Sequence, residues 1–242
     1  TDYKDSESKE QGFFKSENRY EAKQDEFGKI PGSPIAYWVS EKVKHIFEKN
    51  KLFSSHSDAK SGIMTGNDER FVKSWFEVNR IKIGLDHKID SDILKNKKKW
   101  FPITRGGEYR KWFGNLESIV NLENDSYEIK NSGHNYRLRD SKYYFKKGIT
   151  WTMISSSKFS VRVSPQSIIF GNGGPTCFVE NNFNYLTSLL NTKIIQYFLN
   201  LVNPTLNYII ENINAIPIIF PKQESVKQQI DILTQECIDI SK

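Results

Sequence analysis

Residues 159–164 read Phe159-Ser160-Val161-Arg162-Val163-Ser164, an unbroken alternation of apolar and polar side chains. A period of two is that of a strand with one buried face, so Phe159, Val161 and Val163 are expected inward and Ser160, Arg162 and Ser164 outward. Ser167-Ile168-Ile169-Phe170 reads as another strand, closed by the turn Gly171-Asn172-Gly173-Gly174-Pro175. Upstream, residues 100–105 and 149–154 are further strand-like runs. After Asn181 the period changes. Leu186, Leu189, Leu190, Ile194, Tyr197, Phe198 and Leu201 follow helical spacing across 186–202, and Asn203-Pro204 ends that helix. A β-rich body followed by a helical element predicts an α+β chain.

Toward the N-terminus, residues 1–27 are polar and are expected to form a solvated leader or a packed arm. Ile30-Pro31-Gly32-Ser33-Pro34-Ile35-Ala36-Tyr37-Trp38 is a turn-rich apolar anchor. Ser40 stands as N-cap of a helix over 41–50, with Val43, Ile46 and Phe47 on one face. The glycine-punctuated segment 61–72 predicts a strand, an exposed turn and a second strand over 72–78. Residues 121–147 are rich in Asn, Lys, Tyr and Ser, which suits a long loop. Beyond Ile216-Pro217-Ile218-Ile219-Phe220-Pro221, a last helix carries Val226, Ile230, Leu233, Cys237 and Ile240 as a short heptad seam. The expected division is 1–27, a β-rich domain at 28–182 and a helical element at 183–242.

The chain has 242 residues, 35 Lys and Arg against 29 Asp and Glu, and a formal charge of +6. That balance leans toward a polyanionic partner. Cys177 and Cys237 form no Cys-x-x-Cys, and His45, His56, His87 and His134 have no metal-ligand spacing. A reducing cytoplasm is the default compartment. No apolar run approaches a membrane span and no signal-peptide pattern opens the chain, so no membrane partner is expected. The first residue is not Met and residues 1–11 are charged, which predicts a piece of a longer protein.

Chemistry concentrates in Trp100-Phe101-Pro102-Ile103-Thr104-Arg105-Gly106-Gly107-Glu108-Tyr109-Arg110-Lys111-Trp112. Cations interleaved with planar side chains around a glycine hinge suit a polyanion that also presents bases. Arg105, Arg110 and Lys111 are candidates for phosphates or a guanine edge, and Tyr109 for stacking or hydrogen bonding. A solvated hairpin packed through Trp112 and Phe113 is the bland alternative. Ser155, Ser156 and Lys158, near a strand end, are candidates to grip phosphate. Arg162, on the expected polar strand face, is a candidate base reader. The 95–99 lysine run adds non-specific affinity or solubility. The 171–174 turn could cradle a phosphate, but no helix follows a strand there with the right spacing and a plain turn is the favoured reading. No catalytic constellation is legible. Glu108-Tyr109-Arg110-Lys111 with Asp90 or Asp92 is superficially nuclease-like, but no Pro-Asp followed by Glu-x-Lys is present.

Two blocks carry family resemblances. Leu186-Thr187-Ser188-Leu189-Leu190-Asn191-Thr192-Lys193 followed by Ile216-Pro217-Ile218, Pro221 and a Gln-rich helix with Glu224, Gln228 and Gln229 resembles the close of target-recognition domains. Such domains occur in type I restriction specificity subunits and TaqI-like methyltransferases. More extensively, four ordered motifs are similar to the region after the catalytic domain of large adenine-specific DNA methyltransferases. These are the phage-defence (BREX, phage-growth-limitation) and fused restriction-modification types. The motifs are residues 30–38, Gly62-Ile63-Met64-Thr65-Gly66-Asn67-Asp68-Glu69-Arg70-Phe71, residues 105–112 and residues 150–160.

The resemblance implies a DNA target-recognition region and adds Thr65, Asn67 and Arg70 as candidates for DNA proximity. It implies double-stranded DNA and the parent's methyltransferase domain as partners, with other defence-complex subunits as further candidates. Neither Asn-Pro-Pro-Tyr nor a Gly-rich S-adenosylmethionine motif occurs in the chain. S-adenosylmethionine and methyl transfer are therefore expected in a missing domain, with no catalysis, cofactor or metal here. A metal-dependent nuclease and a protein-interaction module remain the alternatives. A continuous positive face holding Arg105, Arg110, Lys158 and Arg162 would favour DNA reading.

Overall fold

The computed structural model describes residues 3–17, 19, 21, 23–34, 36–85, 97–203 and 205–242. Expectations touching Ile35, His87, Asp90, Asp92, Lys95, Asn96 and Pro204 lie outside the described residues. Residues divide into two compact units, Thr1–Asn50 and Lys51–Lys242.

In the first unit, α1 (Ser6–Phe14) starts where the Asp5 carboxylate accepts the Ser8 N–H at 2.7 Å. This N-cap satisfies one of the amides that a helix start leaves without a partner. α2 (Glu41–Lys49) buries Phe47. Ser40 occupies its N-cap position, but its side chain makes no capping hydrogen bond.

The second unit is α+β and holds two four-stranded sheets. One has the order β1-β8-β5-β6, formed by β1 (Asp58–Lys60), β5 (Gly148–Trp151), β6 (Val161–Ser164) and β8 (Thr176–Phe178). All its pairs are antiparallel. The other has the order β2-β4-β3-β7, from β2 (Val72–Ser74), β3 (Trp100–Thr104), β4 (Ser118–Asn121) and β7 (Ile169–Phe170). Here β3 and β7 run parallel while the remaining pairs are antiparallel. The 171–175 turn carries the chain from β7 in one sheet to β8 in the other. Phe71, Phe101, Ile103, Val120, Leu122, Ile129, Ile169 and Phe170 form the main apolar cluster beside the second sheet. Burying such side chains stabilises by roughly 1.5–3 kcal/mol each relative to exposure.

Several expectations change against this structure. Ser160, Arg162 and Ser164 are buried, not outward. The second face of β6 is covered as well: the Arg162 guanidinium lies against Arg110 O and Thr152, while residue 112 and Asn191 take up the backbone of its free edge. The expected second strand over 72–78 stops at Ser74, where the 3-10 turn Trp75–Glu77 follows with a Ser74–Glu77 capping box. Ahead of β2, the 64–71 turn contains the single-turn helix α3 (Asp68–Phe71). The expected loop at 121–147 includes α4 (Glu123–Lys130).

The expected helix over 186–202 is two helices, α5 (Phe183–Leu190) and α6 (Lys193–Val202). Thr192 supplies the N-cap of α6, its hydroxyl accepting the Ile195 N–H at 3.4 Å. A short helix, α7 (Ile210–Asn214), precedes α8 (Glu224–Ile240). On α8 the expected seam is not the packed face. Thr234 and Ile238 are buried, and Asn184 of α5 donates to the Asp231 carbonyl at 3.1 Å. Val226, Leu233 and Ile240 face solvent.

Candidate nucleic-acid interface

β3 runs into the 105–115 loop, whose first turn needs glycine. Gly106 and Gly107 have φ of 87° and 108°. A Cβ on Gly106 would sit 2.6 Å from the Gly173 carbonyl oxygen, too close for any side chain. The glycine turn 171–174 is thus a packing surface for this loop. Three of its four amides are also committed: Gly171 N–H donates to Thr104 O, Asn172 N–H to Ile63 O and Gly174 N–H to Gly171 O. That pattern corrects the phosphate-cradle alternative for this turn.

Side chains then clamp the loop. Thr152 Oγ1 donates to Gly107 O at 3.0 Å, and Asn115 Nδ2 donates to Glu108 O at 2.8 Å. At its far end the loop behaves as an added strand. Trp112 N–H donates to Val161 O at 3.0 Å, and Val163 N–H donates to Trp112 O at 2.8 Å.

Beneath the loop lies Arg162, 1% exposed. Its Nη1 donates to Arg110 O at 3.4 Å and its Nη2 to Thr152 Oγ1 at 3.2 Å, while Nε has no hydrogen-bond partner. Burial, then the neighbouring Arg110 cation, push its pKa down to about 10, partly opposed by Glu117. The guanidinium therefore stays charged at neutral pH. It faces the protein's own loop, bonded to the Arg110 carbonyl, and does not stand on a solvent face as a base reader would.

Lys111 is likewise turned inward. Its ammonium donates to Asn191 O at 2.8 Å, capping the carboxyl end of α5. The Asn191 amide meanwhile brackets Val161, accepting its N–H at 3.0 Å and donating to its carbonyl at 3.1 Å.

The 64–71 turn approaches from the other sheet. Asp68 accepts the Thr65 hydroxyl at 2.6 Å on one oxygen and Arg105 Nη2 at 2.5 Å on the other. Asn67 Oδ1 caps the Arg70 N–H at 3.0 Å, and its amide nitrogen lies 3.2 Å from His134 Nε2. Thr65 is buried, so it and Asn67 shape the turn. Arg70 is exposed, 3.7 Å from Glu128 and 5.0 Å over the Phe71 ring.

Arg105 thereby borders two cavities. One, of about 160 Å³, is shared with Thr65, Asp68 and Asn172; the other, of about 360 Å³, with Arg110, Asn115 and Glu117. Arg105, Tyr109 and Arg110 are exposed. Gly114 makes room for the Arg110 side chain, since a Cβ there would lie 3.0 Å from Arg110 Cδ. Ser155, Ser156 and Lys158 lie on the turn after Thr152. Ser155 N–H donates to Leu206 O at 3.1 Å, and Phe159 N–H to the Gln196 side chain at 2.6 Å, which sets this turn beside α6. Ser155 is half-buried; Ser156 and Lys158 are exposed.

Of the four cations expected on one face, then, Arg105 and Arg110 share a cavity wall, Arg162 lies underneath, and Lys158 is exposed on the separate 155–158 turn outside that wall. Sequence reasoning missed Thr152, Asn115 and Asn191, which hold the loop, because ordinary polar residues give no signal until their distant partners are known. Among the described residues, no three His, Cys, Asp or Glu side chains converge to hold a metal. Nor is any described helix long and apolar enough to cross a membrane.

By sequence, this α+β chain is related to adenine-specific methyltransferases. It is 39% identical to the adenine-specific methyltransferase BrxX of Escherichia coli O9:H4 (strain HS), over 227 residues, 90% of this chain and 17% of that protein. To the adenine-specific methyltransferase PglX of Lacticaseibacillus casei (strain Zhang) it is 35% identical over 238 residues, 92% of this chain and 19% of that protein. The chain thus spans less than a fifth of the length of the curated relatives it matches. No protein-family model matches it.

Proposed function

We propose that this chain is the target-recognition module of an adenine-specific DNA methyltransferase acting in phage defence. The observation that carries this reading is the Arg105–Arg110 pair on a loop fixed at both ends, bordering a cavity of about 360 Å³. Its setting in a chain related to adenine-specific methyltransferases gives that pair a substrate.

Phosphate contacts from exposed arginines would set the register on duplex DNA, and a guanidinium fork can hold O6 and N7 of guanine. Tyr109 offers a ring and a hydroxyl beside them. Rigid backing matters because a reader must hold its donors in place before DNA arrives; Arg162, Thr152 and Asn115 supply that backing. Methyl transfer from S-adenosylmethionine to a flipped adenine is assigned to the rest of the parent, with the cytoplasm as its compartment. Selection of bound molecules from a random duplex pool, followed by sequencing, tests the reading. A short enriched motif supports it, and an unenriched pool refutes sequence recognition.

A second reading, a protein-interaction module, draws on the apolar stripe of α8. Ile232 and Leu233 are each 59% exposed and Ile240 is 87% exposed. The stripe is suited to the remaining parent chain or to other defence-complex subunits.

A further inference from the structure

The first sheet has a second cationic feature at the edge opposite the arginine loop. The loop pairs with β6, whereas β1 forms the other edge, three strand spacings or roughly 14 Å away. Beside β1 lies a cavity of about 540 Å³ whose wall includes Ser54, Ser55, Tyr143, Lys146, Lys147 and Asn181.

Tyr143 is its organising side chain. The ring stacks on Phe178 at 4.7 Å, and its hydroxyl donates to Asp58. Three ammonium groups lie around that ring: Lys60 at 5.4 Å, Lys142 at 5.1 Å and Lys146 at 5.3 Å. Lys147 adds a fourth, 4.0 Å from the Phe183 ring.

Two carboxylates stand in the same wall, Asp58 and Glu180. Asp58 is already occupied by Lys60 at 2.5 Å and by the Tyr143 hydroxyl. Among the described residues, Lys142, Lys146 and Lys147 form no ion pair. Burial and the Lys242 cation hold the Lys147 pKa below the usual lysine value. Asp58 offsets part of the charge about the ring, drawing on Lys142 as well as Lys60, and leaves Lys146 and Lys147 to an anion from solution. The neighbouring hydroxyls and amide supply the neutral donors that such an anion also needs.

We infer that this cavity is a phosphate-binding site, with Lys146 and Lys147 in its wall and Lys142 beside it as its cations. Phosphate chemistry has two sources here, the backbone of a duplex and a free phosphate compound. The site stands apart from the arginine loop, so it does not rest on the DNA reading.

Lysine acetylation footprinting read by mass spectrometry separates the sources, with inorganic phosphate, AMP and a 20-base-pair duplex as probes and Lys82 as an internal reference. The inference predicts several-fold slower acetylation of Lys142, Lys146 and Lys147 with at least one probe, while Lys82 is unchanged. Protection by duplex alone assigns the backbone phosphate; protection by AMP or inorganic phosphate assigns a free compound. In the variant Lys142→Ala/Lys146→Ala/Lys147→Ala, affinity for the protecting probe should fall at least tenfold while the thermal midpoint holds. No protection by any probe, or unchanged affinity in the variant, overturns the site. If Arg105 and Arg110 variants lose duplex binding while lysine protection persists, the two surfaces are independent.

Discussion

The side-chain amide of Asn191 pairs with the backbone of Val161 as a neighbouring strand would, accepting at 3.0 Å and donating at 3.1 Å. Val161 O also receives the Trp112 N–H, and Asn191 O receives the Lys111 ammonium. One residue at the end of α5 therefore ties β6 to the far end of the arginine loop. Removing its side chain leaves the buried Val161 N–H without a partner, at a cost of about 1–3 kcal/mol, while Val161 O keeps the Trp112 N–H. Asn191→Ala should lower unfolding free energy by about 2 kcal/mol in urea titration, and Asn191→Asp by more, because a carboxylate would face the Val161 carbonyl.

Arg162 is buried with no hydrogen bond to its Nε, so its charge is a cost to the fold. Removing a buried cation that has no paired anion relieves its desolvation cost, which offsets the two neutral hydrogen bonds that are lost. Arg162→Met should therefore keep or raise the thermal midpoint. Duplex affinity should nevertheless fall roughly tenfold, about 1.4 kcal/mol, because the Arg110 carbonyl and Thr152 lose their donor. Unchanged affinity in a folded Arg162→Met protein would remove its positioning role.

Asp68 holds Arg105 at 2.5 Å and stands where a phosphate would compete. Asp68→Asn removes that negative charge while keeping an acceptor for Thr65. Duplex affinity measured by anisotropy should rise several-fold, more at low salt than at high salt.

Acid should loosen the contact between β3's approach and α4. Lys99 lies 2.9 Å from Glu123 and 3.1 Å from Glu128, and chiefly this lysine holds the Glu128 carboxyl below its ordinary 4.5. A carboxyl whose folded pKa is depressed contributes stability above its unfolded value, lost as pH falls through the folded one. Wild-type stability should thus decline as pH drops below about 4.5, and Lys99→Met should flatten that limb. Both glutamates are more than a third exposed, so salt should shrink the difference.

Period, charge and glycine placement made much of this molecule legible. The alternation at 159–164 located β6, and helical spacing located α5 and α6. What alternation could not supply was the cover on the second face, because the loop carrying Arg110 lies far away in sequence. Helical spacing also hid the break between α5 and α6, where Asn191 closes one helix and the Thr192 hydroxyl caps the next. On α8 the heptad seam was the visible pattern, yet Thr234 and Ile238 pack while Leu233 and Ile240 do not. At the candidate interface, the arginine-rich composition of the loop was plain. The inward turn of Lys111 and Arg162 was not, since charge alone does not say which cations meet solvent.

The most direct test of the account is anisotropy binding of the chain to a random duplex pool from 50 to 200 mM salt. Each phosphate contact contributes about 0.9 to the slope of log affinity against log salt. The account predicts a steep wild-type slope that falls by about two in Arg105→Ala/Arg110→Ala, with the fold intact. Absent binding, or the same affinity and slope in both proteins, would contradict a DNA-reading role for this loop.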